Sequence, residues 1–246
     1  VSDKVKRLPL FVGGLSGAGK TTFCCAMLRL AQEYGLKAGG FKPFDVGLLE
    51  RNAKEQFHDG QLFCQNMPDD PNENLVSPYL AHERYPIEMA FRRDGIRIDW
   101  KLVQQRLQIF NQTYDRTFLE LPGGLHEPLA KDIILIDWMK QVGRQAVWII
   151  QPKLSLFEHN LMELKLLKEE GFKLHIVINN LAKTIDPDLL FYMWQKIEDV
   201  LDQQLEGMIP FIPSWKSGKR LMIVAMEENL PNLIRSVFPP PLEKIR

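Results

Sequence analysis

Residues 14–21 read Gly14-Leu15-Ser16-Gly17-Ala18-Gly19-Lys20-Thr21, a glycine followed four residues later by Gly-Lys-Thr. The apolar run Leu8 to Val12 precedes this string, and after it Phe23, Met27, Leu30 and Tyr34 recur at three- and four-residue steps. The order predicts a strand, a tight loop and a helix that Gly35 ends. Glycines let consecutive backbone N–H groups turn inward around phosphate oxygens, and the helix amino end adds partial positive charge. Lys20 can reach the outer phosphates, and the Thr21 hydroxyl suits Mg²⁺. The implied ligand is ATP or GTP, with Gly14, Gly17, Gly19, Lys20, Thr21 and Thr22 as the expected binding set.

The rest of the chain repeats the alternation. Strands are expected at Leu36 to Phe41, Thr117 to Leu121, Ala146 to Gln151, Leu174 to Asn179 and Gly207 to Ile209. Between them lie helical patterns at Asp99 to Thr113, near Ala130 to Val142, at Phe157 to Glu170 and from Asp186-Pro187 to about Leu201, with another helix near the carboxyl end before Pro239-Pro240-Pro241. Residues 45–78 lose periodicity, and Pro68 to Asn74 has loop composition, so this stretch is expected to be a surface excursion. Repeated strand–helix units with apolar strands predict an α/β fold with a doubly wound, mostly parallel sheet, and ligands at the carboxyl ends of its strands. Gly14, Lys42, Glu120, Gln151 and Asn179 fall at such ends. Neither a linker nor a repeat interrupts residues 1–246, which read as one phosphate-loop domain.

Composition removes several other classes. Lys plus Arg number 31 and Asp plus Glu 31, so no overall field favours nucleic acid or anionic lipid. The apolar runs are far shorter than the ~20 residues that span a bilayer, and residues 1–10 lack a secretory signal pattern. Three cysteines, Cys24, Cys25 and Cys64, cannot all pair, which fits a reducing, cytoplasmic setting.

Two further residues carry chemistry by position. Lys42, directly after the second strand, can place a second cation over transferring phosphate or an anionic substrate. Glu120, at a strand end before Pro122-Gly123-Gly124, suits Mg²⁺, while the glycines allow close backbone approach. Asp59 alone reads as a solvated acid.

Together these residues resemble the dethiobiotin synthetase family. The resemblance covers most of the chain. It rests on the phosphate loop, Gly40-Phe41-Lys42-Pro43, Asp59 at its spacing after that lysine, and Val76-Ser77-Pro78-Tyr79. It continues through Glu120 to Leu129, His159, Ile178-Asn179 and Ile209-Pro210. It implies a homodimeric, ATP- and Mg²⁺-dependent ligase that carboxylates 7,8-diaminopelargonate with CO₂, phosphorylates the carbamate and closes a cyclic urea. Lys20, Lys42 and Glu120 would be catalytic, and Thr21, Asp59 and Glu120 would hold the metal. Lys42 would hold the carbamate, Asn179 would contact adenine, and Pro210 would join the nucleotide set. Gly123 and Gly124 would lie on the substrate side.

The departures from the pattern fall on that substrate side. The family's phosphate loop is one residue longer and carries a threonine that touches the diamine. Val46 stands where the family has an amine-binding serine and cannot hydrogen-bond through its side chain. Leu154-Ser155-Leu156-Phe157-Glu158-His159 replaces Leu-Gly-x-x-Asn-His, a segment that cradles the substrate carboxylate from the neighbouring subunit. Glu158, if it faces the pocket, would repel a carboxylate and favour a neutral or cationic ligand. A divergent ATPase of the same fold, with another substrate or a non-catalytic role, is therefore the alternative. The related Min and Par ATPases carry a signature lysine five positions before the loop lysine, where this chain has Leu15. His126 and His159 read as polar surface or satisfied interior residues, Arg92, Arg93 and Arg97 as a solvated basic cluster, and Cys24-Cys25 as packing side chains.

Overall fold

The central sheet is built from strands that water never touches. In β1 (Leu10–Gly13) every residue is buried, and Leu10, Phe11 and Val12 have no exposure at all, as expected of a parallel strand covered on both faces. A computed structural model of the chain describes residues 8–47, 49–52, 55–213 and 219–238. Residues 1–7 and the triple proline at 239–241 lie outside it.

The loop after β1 leads into α1 (Lys20–Glu33), followed by β2 (Ala38–Phe41), β3 (Phe44–Val46), β4 (Leu49–Asn52) and β5 (Glu55–Phe57). Next come α2 (Asp59–Cys64), α3 (Glu73–Val76), β6 (Tyr79–Ala81), α4 (Ile87–Arg93), α5 (Trp100–Thr113) and β7 (Arg116–Glu120). A small hairpin, β8 (Pro128–Ala130) and β9 (Ile133–Ile134), precedes α6 (Leu135–Val142). The chain then runs through β10 (Gln145–Ile150), α7 (Leu154–Glu169), β11 (Lys173–Asn179), α8 (Pro187–Leu201), β12 (Gly207–Ile209), α9 (Lys219–Asn229) and α10 (Pro231–Val237).

Six strands form one sheet in the order β12-β11-β10-β1-β7-β2, all neighbours parallel. The chain fills one side of β1 first and then the other, so the expected doubly wound α/β class is the observed one. The reversal of direction falls at β1, and that crevice is where such sheets hold ligands. Gly13 serves the packing there, because a Cβ would stand 2.3 Å from the ring of Trp148 on β10.

Local sequence explains the helix starts. Asp99 caps α5 by accepting from the Lys101 N–H at 2.9 Å, and Asp186 caps α8 by accepting from the Asp188 N–H at 2.9 Å, with Pro187 preset for the first turn.

Residues 58–67 and 75–78 correct the expectation of a surface excursion, whereas 68–74 are largely exposed as their composition predicts. Phe63 and Val76 are fully buried, and Asp45 and Met67 nearly so. Phe63 lies over Gly40, where a Cβ would come within 2.6 Å of its ring. β3 pairs in parallel with β6, and the Lys42 N–H donates to the Val76 carbonyl at 3.0 Å. From α1, Arg29 Nε donates to Asn66 Oδ1 at 3.1 Å and Gln32 Nε2 to the Asn66 carbonyl at 2.7 Å. The segment is a strapped-on layer whose elements are too short to show periodicity. A second correction concerns α6, which begins at Leu135 rather than near Ala130 because β8 and β9 turn back on each other first.

Candidate functional site

The phosphate loop is shaped by backbone that only glycine adopts readily. Gly14, Gly17 and Gly19 have φ of 141°, 77° and 90°, and Gly19 is the N-cap of α1. Two amides brace the loop from neighbouring strand ends. Asn179 Nδ2 donates to the Ala18 carbonyl at 2.9 Å, and Gln151 Nε2 donates to the Gly17 carbonyl. Lys20 curls over the same loop, its Nζ donating to the carbonyls of Gly14 at 2.8 Å and Leu15 at 3.2 Å. Burial lowers its pKa to about 8, Glu120 pulling it back up and Lys42 pressing it further down. An anion placed on this loop would meet an ammonium already buried there.

Four residues, from α1, α2, β7 and the turn after β2, converge beside the loop. The Thr21 hydroxyl lies 2.9 Å from Glu120 Oε1 and 3.2 Å from Asp59 Oδ2. Lys42 Nζ donates to Glu120 Oε1 at 2.9 Å and also to Asp59 Oδ2. Lys42, Glu120 and Lys20 are buried, and Asp59 is about one-fifth exposed through its side chain. Burial works against the Lys42 charge, but Asp45, Glu120 and Asp59 outweigh it and hold the ammonium well above its ordinary pKa. Burial raises the Glu120 carboxyl, and the Lys42 charge only partly offsets that.

The donor set fits a divalent cation. Glu120 Oε2 is buried without a hydrogen-bond partner, which is costly for a carboxylate oxygen unless a cation or water meets it. Among the described residues no group of three His, Cys, Asp or Glu side chains is arranged to hold a metal, so a cation here depends on the Thr21 hydroxyl as well as the two acids. Hydroxyl and carboxylate oxygens are what Mg²⁺ prefers.

Sequence reasoning missed a second tier behind Lys42. Asp45 is buried, with Oδ1 3.4 Å from Lys42 Nζ. Its Oδ2 accepts from the Gly60 N–H at 3.2 Å and lies 3.2 Å from His58 Nδ1. Burial opposes ionisation of Asp45, but Lys42 and His58 overcome it and keep the carboxyl below its usual range. Burial likewise disfavours the His58 cation, and Asp45 and Glu73 reverse that, raising its pKa. The only signal in the chain was an acid three residues after Lys42. Another missed residue is Glu163, a buried carboxylate on α7 that accepts from the Leu125 N–H at 2.7 Å.

The remaining expected site residues are spread around the cleft. Thr22 is half-buried on α1. Val46, opposite Ala81, is partly buried against the apolar core. A Cβ on Gly124 would stand 3.0 Å from Glu163 Oε1, and one on Gly123 3.1 Å from Glu127 Oε2, so both glycines make room for the protein's own carboxylates. Glu158 is exposed in the second turn of α7. Pro210 follows β12, whose Ile209 is in register with Asn179. His159, exposed, lies 3.1 Å from Glu163, and Arg93 pairs with Glu83 at 3.2 Å. All three cysteines are free and buried. Among the described residues no helix is long and apolar enough to cross a membrane.

Comparison with known proteins gives three kinds of likeness. The family model described as AAA domain matches residues 10–217. The ATP-dependent dethiobiotin synthetase BioD of Thermodesulfovibrio yellowstonii is 24% identical over 212 residues, covering 83% of this chain and 88% of that protein. The enzyme of the same name from Bacillus licheniformis is 27% identical over 223 residues, covering 81% and 90%. Among solved structures, the MinD cell division protein of Aquifex aeolicus superposes with a TM-score of 0.55 at 16% identity, covering 95% of this chain and 100% of that one. That likeness shows a P-loop fold and nothing further.

Proposed function

The chain belongs to the AAA domain family, the family that includes the dethiobiotin synthetases, and from that premise we propose an ATP- and Mg²⁺-dependent ligase of the dethiobiotin synthetase type. Its reaction would join 7,8-diaminopelargonate and CO₂ into a cyclic urea through a phosphorylated carbamate. One observation carries the reading: Thr21, Lys42, Asp59 and Glu120, from three elements and the turn after β2, meet within hydrogen-bonding distance beside the phosphate loop.

A carbamate is a weak nucleophile and must lie in line with the γ-phosphorus. Positioning and charge neutralisation are therefore what the protein has to supply. Lys20 binds the outer phosphate oxygens, and Lys42 holds the carbamate oxygen against them. Thr21, Asp59 and Glu120 would hold Mg²⁺, which when bound would offset charge on the phosphate oxygens. Gly14, Gly17, Gly19 and Thr22 complete the phosphate cradle, and Asn179 and Pro210, adjoining at two strand ends, take the base. Residues 1–246 act as one domain.

Exposed Leu154 and Met162 on α7 and Phe191 and Tyr192 on α8 support a homodimer. These helices pack together, with the Phe157 and Tyr192 rings 5.9 Å apart. Balanced charge supports a small-molecule substrate and no nucleic-acid or membrane partner, and three free, buried cysteines support a cytoplasmic location. A second reading, a ligase or ATPase of this fold with another substrate or a non-catalytic nucleotide-binding role, is favoured by Val46 and Glu158 on the acceptor side. On the first reading Gly123, Gly124 and the region of Val46 and Glu158 line the diamine.

Calorimetric titration of 7,8-diaminopelargonate into protein with Mg²⁺ and a non-hydrolysable ATP analogue tests the choice, followed by a bicarbonate-dependent ADP-release assay. Diamine-dependent release supports the first reading. Nucleotide binding without a diamine response rejects it in favour of the second.

A further inference from the structure

Lys42 and the expected metal compete for the same atoms. Its Nζ is hydrogen-bonded to Asp59 Oδ2 and Glu120 Oε1, the two oxygens that the Thr21 hydroxyl also meets. In this arrangement the ammonium is the cation of the carboxylate pair. A divalent ion entering beside Thr21 would meet a like charge a few ångströms away in a buried setting, where such repulsion is poorly screened. Lys42 must then turn away from Asp59 and Glu120 without leaving the cleft where an anionic substrate needs it.

Asp45 is the third acid within reach of Lys42, with Oδ1 3.4 Å from Nζ. Among the described residues, no hydrogen bond or ion pair joins it to Thr21, Asp59 or Glu120. Its other oxygen is fixed by the Gly60 N–H and His58 Nδ1, each at 3.2 Å, so the carboxylate cannot rotate away. It is buried to 1% exposure and out of reach of bulk water.

We propose that Asp45, held by His58 and Gly60, is a positioning residue that keeps Lys42 in the cleft when a divalent cation takes Asp59 and Glu120. The inference rests on the metal site of the ligase reading. Among the described residues Lys42 forms ion pairs with Asp45, Asp59 and Glu120 alone, so without Asp45 it stays on the metal's ligands.

The test is a Mn²⁺ titration followed by electron paramagnetic resonance on the full chain with a non-hydrolysable ATP analogue. It compares wild type, Asp45→Asn, Lys42→Met and the double variant, each checked for folding by circular dichroism. Asp45→Asn should weaken Mn²⁺ binding about tenfold, the size of one charge-assisted hydrogen bond. In the Lys42→Met background the same change should matter less than about twofold, because the competitor is gone. An equal loss in both backgrounds, or no loss in either, overturns the proposal, since a general field effect or a packing role would not depend on Lys42. If wild type binds no Mn²⁺, the metal site and this inference fall together. If wild type binds and Asp45→Asn binds equally well, the inference alone falls. Should Asp45→Asn not fold, His58→Gln loosens the grip on Asp45 while keeping its charge, and it should weaken Mn²⁺ binding in the same direction by a smaller factor.

Discussion

The phosphate loop and the layer spanning residues 44–82 meet at the same cleft, yet they are made in opposite ways. The loop is eight consecutive residues whose shape is a backbone property, written in glycines at positive φ. The layer has short elements, and its chemistry comes from side chains brought together by folding, such as Asp45 and His58, thirteen positions apart. A local device can be retained intact while the region facing it changes. That is the pattern here, where the glycines, Lys20 and Thr21 are kept in a loop one residue shorter than the family's, and the facing side departs at Val46 and Glu158.

The sharpest way to break this comparison is to treat the layer as dispensable. Phe63→Ala should cost about 3–5 kcal/mol of stability if the layer belongs to the core, read by urea denaturation. A loss under about 1 kcal/mol would return it to the status of a surface loop. On the other side, Lys20→Met should lower nucleotide turnover on the order of 10²–10³-fold, as when a cation on a transferring phosphate is removed, with little change in the urea midpoint. Retained turnover would remove the loop from the chemistry.

A finer test uses the burial of Lys20, with its pKa lowered to about 8. Below that pH the lysine is charged in both free and phosphate-bound protein, so affinity should be flat. Above it the free protein has lost a proton that the bound form needs. Without divalent cation, analogue affinity should then fall about tenfold per pH unit. Calorimetry in buffers of different ionisation enthalpy would register the proton uptake, and a flat profile to pH 10 would contradict it. The smallest effect concerns a tether between the layer and the residue that follows α5. The Tyr114 hydroxyl donates to both Asp69 oxygens at 3.0 Å, and Tyr114→Phe should cost about 1 kcal/mol. A thermal shift indistinguishable from zero would make the tether incidental.

How much could be read in advance follows the same division. Strands β1, β7, β10 and β11 were legible because burial on both faces leaves continuous apolar runs, and α8 because Asp186-Pro187 marks a helix start. Lys42 and Glu120 were legible by position at strand ends. Phe63, Met67 and Val76 were not, since a six-residue and a four-residue helix are too brief for a repeat to emerge. β3 was missed because Pro43 ends β2 but leaves the chain free to start pairing with β6. Asp45 and Glu163 were invisible for a different reason: each matters only through a partner that tertiary packing brings to it.

Gln151 and Asn179 reach the phosphate loop from β10 and β11, across 134 and 161 positions of chain. The motif is complete by Thr21, but these two braces lie much later in the chain. A nascent or truncated chain ending before residue 145 would carry every glycine and the lysine and still have a slack loop. Competence for nucleotide is therefore a late event in folding, one that reports the completed sheet rather than the completed motif.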